Sequence, residues 1–380
     1  MSQTDFVRKL PDAQSEKPTN TFWQSIHIDP TLLALVLITL AFGLVVLYSA
    51  SDGQFSFLKR QVMMAGAGLV AMIIVAQIPP SVMQRWVWLP YAGGLLLLVA
   101  VIFFGLEVNG AQRWLDLGPI AFQPSEILKL SLPLLLAAYL GKRHMPPRFK
   151  HVFMSLLMIA LPAGLVVVQP DLGTSLLVAG SGLAVLFTAG LKWRYMLAAL
   201  ILVIISAPLM WQFGLHDYQR ERIITMFNPE ADRLGAGWNI IQSVTAIGSG
   251  GWSGKGWLLG TQSHLDFLPE SHTDFIIAVL AEEFGFRGVC ILLSLYLLII
   301  GRGFWISYTA KSPFSRLASA AVVVTFFVYV SVNMAMVSGL LPVVGVPLPL
   351  VSYGGTSLIS LFMMFGILMA ISTEPGTLKS

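Results

Sequence analysis

Thr31-Leu-Leu-Ala-Leu-Val-Leu-Ile-Thr-Leu-Ala-Phe-Gly-Leu-Val-Val-Leu-Tyr-Ser-Ala50 runs without an Asp, Glu, Lys or Arg. A helix of about 20 such residues crosses the ~30 Å hydrocarbon core of a bilayer. Comparable runs recur near 61–78, 86–105, 125–141, 152–168, 172–190, 196–214, 275–301, 317–337 and 350–372, which makes ten. The 380-residue chain is 56% hydrophobic and 11% charged, against roughly 25% charged for soluble domains. The fold class is therefore an all-α integral membrane protein of about ten transmembrane helices with one large extracytoplasmic loop.

Lys and Arg in short loops set the orientation. Lys142, Arg143, Arg148, Lys150, Lys192, Arg194, Lys311 and Arg316 fall on the side of the amino terminus. Short loops on the opposite side carry only Lys59, Arg60 and Arg113. Both termini are expected in the cytoplasm: a polar tail at 1–30, a polytopic domain at 31–372 and a second tail at 373–380. Residues 1–30 lack a short apolar core with a cleavage site, so the first span reads as an uncleaved anchor. The single cysteine, Cys290, lies in a span and excludes an intrachain disulfide. The formal charge of +4 reports topology, and nucleic-acid binding is not indicated.

The long loop, 215–273, faces outward on this count. Trp238, Ile241, Val244 and Ile247 recur about every three residues, which predicts a short amphipathic helix resting on the membrane surface. Gly248-Ser-Gly-Gly-Trp-Ser-Gly-Lys-Gly256 superficially resembles a P-loop, but Lys255 is followed by Gly256 where the motif needs Ser or Thr. A turn with close backbone packing is the simpler reading, and contact of its amides and Lys255 with a diphosphate is the alternative. Arg220, Arg222 and Arg233 share the loop. Each alone reads as solvated surface charge, but together they suit an anionic head group, because guanidinium matches phosphate geometry.

Leu268-Pro-Glu-Ser-His-Thr-Asp-Phe275 ends the loop directly before an apolar run. It sets Glu270, His272 and Asp274 at the bilayer edge, where a substrate with a lipid tail would present its polar head. Asp274 there is expected to stay hydrated and ionised, titrating near ~3.9. The alternative is that Thr273 and Asp274 only cap the next helix. No standard zinc spacing is present, though a divalent cation bridging Asp274 and a diphosphate is conceivable.

Ionisable groups inside spans are costly, and so are usually paired or functional. Glu126 and Lys129, three apart in Gln123-Pro-Ser-Glu-Ile-Leu-Lys129, share a helix face. They read as an internal ion pair or as part of a substrate or proton path. Asp171 follows Pro170 and reads as a cap or as a site residue. Glu282 and Glu283 are placed in an intramembrane charged cavity below Asp274, with Glu283 and Arg287 expected to bridge at i,i+4.

Taken together, Gln123-Pro-Ser-Glu126, Gln169-Pro-Asp-Leu-Gly-Thr174, Gly237-Trp-Asn239, the motif at 268–275, Pro342-Val-Val-Gly-Val-Pro-Leu-Pro349 and Ser352-Tyr-Gly-Gly355 resemble the SEDS family of bacterial shape, elongation, division and sporulation proteins. The likeness runs from about residue 30 to 372 and is nearer the elongation branch, on Ser263-His-Leu-Asp-Phe-Leu-Pro-Glu270 and the short tails. It implies a peptidoglycan glycosyltransferase that polymerises lipid II at the outer face of the cytoplasmic membrane. It also implies a class B penicillin-binding protein as transpeptidase partner, among other membrane proteins of an elongation complex. The family's essential acid falls on Asp274, its intramembrane charged pair on Glu126 and Lys129, and its outer aspartate on Asp171.

The residues fit such chemistry. A lipid diphosphate leaves without protonation, so one general base suffices to deprotonate the acceptor hydroxyl; Asp274 is that base. Arg113, Arg220, Arg222, Lys255, Glu270 and Asp171 are the expected substrate contacts, and the cations would stabilise the leaving group. Gly339, Gly345 and the turn at 342–349, together with the loop 215–273, are the expected resting place of the partner's stalk. Two rivals stand beside this reading: a transporter of lipid-linked precursors, and a non-catalytic scaffold for the transpeptidase.

Overall fold

The computed structural model describes residues 22–374 apart from 109–110, 117–120, 215–216, 233–234 and 265–269. In chain order a single turn α1 (Phe22–Ser25) precedes α2 (Pro30–Ala50), α3 (Phe55–Ala76), α4 (Pro80–Trp86) and α5 (Trp88–Phe104). Three short strands follow, β1 (Leu106–Val108), β2 (Ala111–Asp116) and β3 (Ala121–Phe122). Then come α6 (Ser125–Leu140), α7 (Phe149–Val168), α8 (Leu172–Thr188) and α9 (Trp193–Leu209). The long connection holds α10 (Asp217–Phe227), α11 (Ala236–Gly250) and α12 (Thr261–His264), and α13 (Ile276–Thr309), α14 (Pro313–Val337) and α15 (Gly355–Ser372) complete the bundle.

Each of the ten predicted apolar runs overlaps one of these helices. Among the described residues, six (α2, α3, α7, α13, α14 and α15) are long and apolar enough to cross a membrane, and α4 with α5 is a seventh if their 46° bend is one broken span. In lipid such helices satisfy their own backbone groups, which is why irregular chain is confined to their ends or to protein-lined cavities. Start signals are local. Asp29 accepts from Leu32 N at 3.0 Å with Pro30 at the first helical position of α2, and Ser312 with Pro313 does the same for α14. The core runs through α14, where Ala318, Ala321, Val322 and Phe326 are buried against α6, α8 and α13. Small residues permit that close approach.

The fold departs from expectation in four places. The stretch 106–122 forms a small antiparallel sheet, β1-β2-β3, within the otherwise helical chain. Residues 215–273 contain α10 and α12 in addition to the one predicted helix. On α11 the protein-facing side is Ile240, Ser243, Ala246 and Gly250, packed on α13, while Val244 of the predicted stripe is exposed. Ser243, Ala246 and Gly250 let that face seat closely on α13, a protein contact that the reading of a helix resting on the membrane surface did not include. Finally, α13 continues past the apolar run ending at 301 to Thr309, and Arg302 within that extension pairs with the buried Asp29 at 2.6 Å.

The glycine-rich turn has a definite task. At Gly285 the backbone of α13 takes φ 66°, ψ −164° and breaks the helix. The break frees the carbonyls of Glu282 and Glu283 and the amides of Phe286 and Arg287. Lys255 N and Gly256 N donate to the two carbonyls at 3.0 Å, and the two amides donate to Gly251 O and Trp252 O at 2.9 and 3.2 Å. All four are thereby satisfied, where each buried orphan would cost about 1–3 kcal/mol. A Cβ on Gly254 would lie 2.1 Å from Glu283 O, so the approach requires glycine.

Candidate active site

A cavity of about 560 Å³ opens at the end of the bundle where α6, α8, α13 and α15 begin. Its walls are the turn 270–274, the loop 343–350, the first turns of α6 and α8, Arg113 of β2 and Arg222 of α10. The turn before α13 shows how the sequence aims its side chains. Ser271 donates to Ala50 O at 3.2 Å, and the His272 ring packs on Phe57, with centroids 4.9 Å apart. Those two residues anchor the turn to α2 and α3, and Glu270, Thr273 and Asp274 are left to line the cavity. Glu270 takes φ 58° and accepts from Thr273 Oγ1 at 2.6 Å.

Asp274 is not a cap. The N-cap of α13 is Phe275, and no side chain caps that helix. Nor is Asp274 freely hydrated as expected: burial pushes its carboxyl up to about 6, the nearby Glu270 charge adds to the rise, and Arg222 opposes it. A carboxylate titrating there is suited to accept a proton near neutral pH.

Two cations and a further pair complete the walls. Arg222 Nη1 donates to Val343 O at 2.8 Å, which fixes its α10 to the proline loop. Arg113 stands 3.5 Å from Asp171 and donates to Pro170 O at 3.3 Å. Asp171 also caps α8, accepting from Thr174 N at 3.0 Å, and it lines the cavity at the same time. Deeper in the cavity Lys129 and Glu126 form an ion pair at 2.6 Å, and Ser360 of α15 donates to the other Glu126 oxygen. Lys129 Nζ lies 5.8 Å over the Tyr329 ring.

The structure thus brings Asp274, Glu270, Arg222, Arg113, Asp171, Glu126 and Lys129 around one space, and moves four predicted residues out of it. Lys255 is held 2.6 Å from Glu282, whose carboxylate also accepts from Thr261 N and Gln262 N at 2.9 and 3.1 Å. Both belong to the turn at the α13 break, and neither lines the cavity. Glu283 accepts from Ser49 at 2.5 Å. The break at Gly285 separates it from Arg287, so the expected i,i+4 bridge has no helical register to form in. Arg220 turns away, donating to Gln212 O at 3.0 Å and lying 3.4 Å from Asp217. Arg233, Leu268 and Pro269 lie outside the described residues.

Asn333 of α14 escaped the sequence reading. Its amide donates to Asp274 O at 2.8 Å and to Val346 O at 2.7 Å. The signal was an amide within the apolar run Val330-Ser-Val-Asn-Met-Ala-Met336, since a polar group in a span is seldom idle. Gly345, expected at a partner surface, lines the cavity opposite Asp274.

The constellation is that of a membrane-embedded helical bundle with an acidic and basic cavity at one end. The sequence profile of the FtsW, RodA and SpoVE family, described as cell cycle protein, matches residues 30–376. The chain belongs to this family. It is 52% identical to the peptidoglycan glycosyltransferase MrdB of Escherichia coli K12 over 93% of this chain and 96% of that one. A solved peptidoglycan synthase complex, described as coordinating polymerization and crosslinking, contains a chain that superposes with TM-score 0.80 at 34% identity, covering 90% of this chain and 97% of that chain. The rod shape determining protein RodA of Thermus thermophilus gives TM-score 0.69 at 31% identity, over 90% and 96%. With family and identity at this level, the chain is a peptidoglycan glycosyltransferase.

Proposed function

We propose that this chain polymerises lipid II at the outer face of the bacterial cytoplasmic membrane during cell elongation, with Asp274 as the general base. The observation that carries the proposal is the cavity in which Asp274, its carboxyl raised to about 6, shares walls with Arg222 and Arg113. The acceptor's GlcNAc 4-hydroxyl gives its proton to Asp274 as its oxygen bonds to the donor's anomeric carbon. The bond from that carbon to the diphosphate breaks, and undecaprenyl diphosphate departs as an anion facing the two guanidiniums. Energy comes from the bond broken. A divalent cation would be held here by Asp274 and would offset charge on the departing diphosphate; among the described residues no group of three His, Cys, Asp or Glu side chains converges to hold one alone.

The ten predicted runs are ten crossings in this reading, with both termini in the cytoplasm and residues 215–273 outside. The distribution of Lys and Arg supports that orientation. It also puts the cavity mouth outside, beside the head group of a lipid-linked donor. A class B penicillin-binding protein is the proposed partner, and the similarity to a chain from a peptidoglycan synthase complex supports it. Purified protein in liposomes with fluorescent lipid II separates the rivals. Polymer supports the proposal, transbilayer movement alone makes the chain a transporter, and neither, with the transpeptidase present, makes it a scaffold.

A further inference from the structure

We propose that Asn333 is a positioning residue for the transfer, clamping the turn that carries Asp274 to the proline loop opposite. The inference rests on Asp274 acting as the base. Asn333 is fully buried in α14. Its side-chain nitrogen carries two hydrogens, and both are used, one on Asp274 O at 2.8 Å and one on Val346 O at 2.7 Å. The amide has one sensible orientation, because reversing it would set its oxygen against two carbonyl oxygens.

Those carbonyls belong to segments that lack a ladder of their own. The helix α13 starts only at Ile276, and the loop 343–349 is irregular, with Pro347 and Pro349 unable to donate. One backbone bond, from Tyr353 N to His272 O at 2.9 Å, ties the turn to the chain just after that loop, and Asn333 adds the tie at Asp274 itself, reaching both walls from a rigid span. Asp274 and Gly345 face each other across that joint: the Asp274 carboxylate lies 3.4 Å from where a Cβ on Gly345 would stand. The clamp thus sets how deep the carboxylate sits under the loop, and hence how far it is stripped of water. The ionisable groups sharing the cavity with Asp274 are Glu270 on its own turn, Arg222 on α10, Arg113 on β2, Asp171 before α8, Glu126 and Lys129 on α6, Tyr329 on α14 and Tyr353 before α15. None of them is changed by substituting Asn333.

The test uses the full chain in liposomes with fluorescent lipid II, comparing Asn333→Ala, which deletes both bonds, with Asn333→Ser, which keeps a short donor. Ser319→Ala, another buried polar position of α14, serves as the control for packing alone. A misplacement of about 1 Å can cost ~10²-fold in rate. The expected result for Asn333→Ala is a loss of that order in kcat with KM for lipid II within about threefold. Its acidic pH limb should move down toward the ordinary carboxylate range as the turn loosens and Asp274 rehydrates. Asn333→Ser should fall between, and Ser319→Ala should keep the wild-type limb. If folded Asn333→Ala keeps wild-type kcat and limb, the inference is overturned. Should that variant not fold, wild-type kcat and limb in Asn333→Ser overturn it instead, and an intermediate limb upholds it. A wild-type profile without an acidic limb, with an active Asp274→Asn variant, would contradict Asp274 as base, which is a different failure.

Discussion

The carboxylate of Asp274 faces Gly345 so closely that a Cβ there would stand 3.4 Å from Asp274 Oδ2, and Gly345 itself holds φ 71°. A side chain at 345 would therefore meet backbone strain of roughly 1–2 kcal/mol and would set its Cβ in van der Waals contact with the base, with any larger branch crowding it. Gly345→Ala should slow polymerisation several-fold, and Gly345→Val should slow it more. Because the contact is internal, the loss should be the same with and without the transpeptidase. A loss seen only with the transpeptidase would return Gly345 to the partner surface.

The pH profile should report on the neighbours of Asp274. As a base it works deprotonated, so the rate should fall as pH drops through about 6, approaching tenfold per unit below that. Glu270 raises the carboxyl and Arg222 lowers it. Glu270→Gln should therefore move the acidic limb to lower pH, and Arg222→Ala should move it to higher pH. The position of each limb, read separately from its height, checks this pair of opposite shifts.

Lys255 and Glu282 should prove structural. Lys255→Ala leaves Glu282 with its bonds from Thr261 and Gln262, and should cost about 1–3 kcal/mol of stability. Glu282→Ala strands Lys255 and those two amides together and should cost more. Thermal unfolding should register both losses, while polymerisation per folded molecule stays within a few-fold of wild type. A large rate loss in folded Lys255→Ala would place that lysine back on the substrate.

Glu126→Ala and Lys129→Ala should each be harmful, since removing either partner leaves an uncompensated buried charge, about 3–5 kcal/mol. The pair lines the cavity, and Ser360 binds Glu126 from α15. The charge-swapped double variant should therefore regain folded yield without regaining activity. Yield and polymerisation, measured together, check this. Recovery of both would make the pair purely a brace.

Much of this was legible from residue order. Runs such as 31–50 fix helices because a continuous apolar segment of that length satisfies its own backbone in lipid as a helix, and Asp274 is marked by carboxylates beside such a run. Other features depend on contacts distant in sequence. The break at Gly285 is one residue inside a long apolar helix. Its purpose appears only when the turn 251–256 supplies partners for the freed groups, and that same pairing takes Lys255 and Glu282 away from the cavity. The strand carrying Arg113 is too short for periodicity to register. Arg220 and Arg222 are two apart on α10 and so point to different sides, a distinction invisible until the helix is placed against Val343.

The most direct test of the account is polymerisation of fluorescent lipid II by the Asp274→Asn variant in liposomes with its transpeptidase. The substitution keeps size and removes the base, whose contribution is typically 10²–10⁴-fold. The account predicts a loss in that range, with wild-type folding and partner co-purification. A folded Asn variant that polymerises within a few-fold of wild type would contradict it.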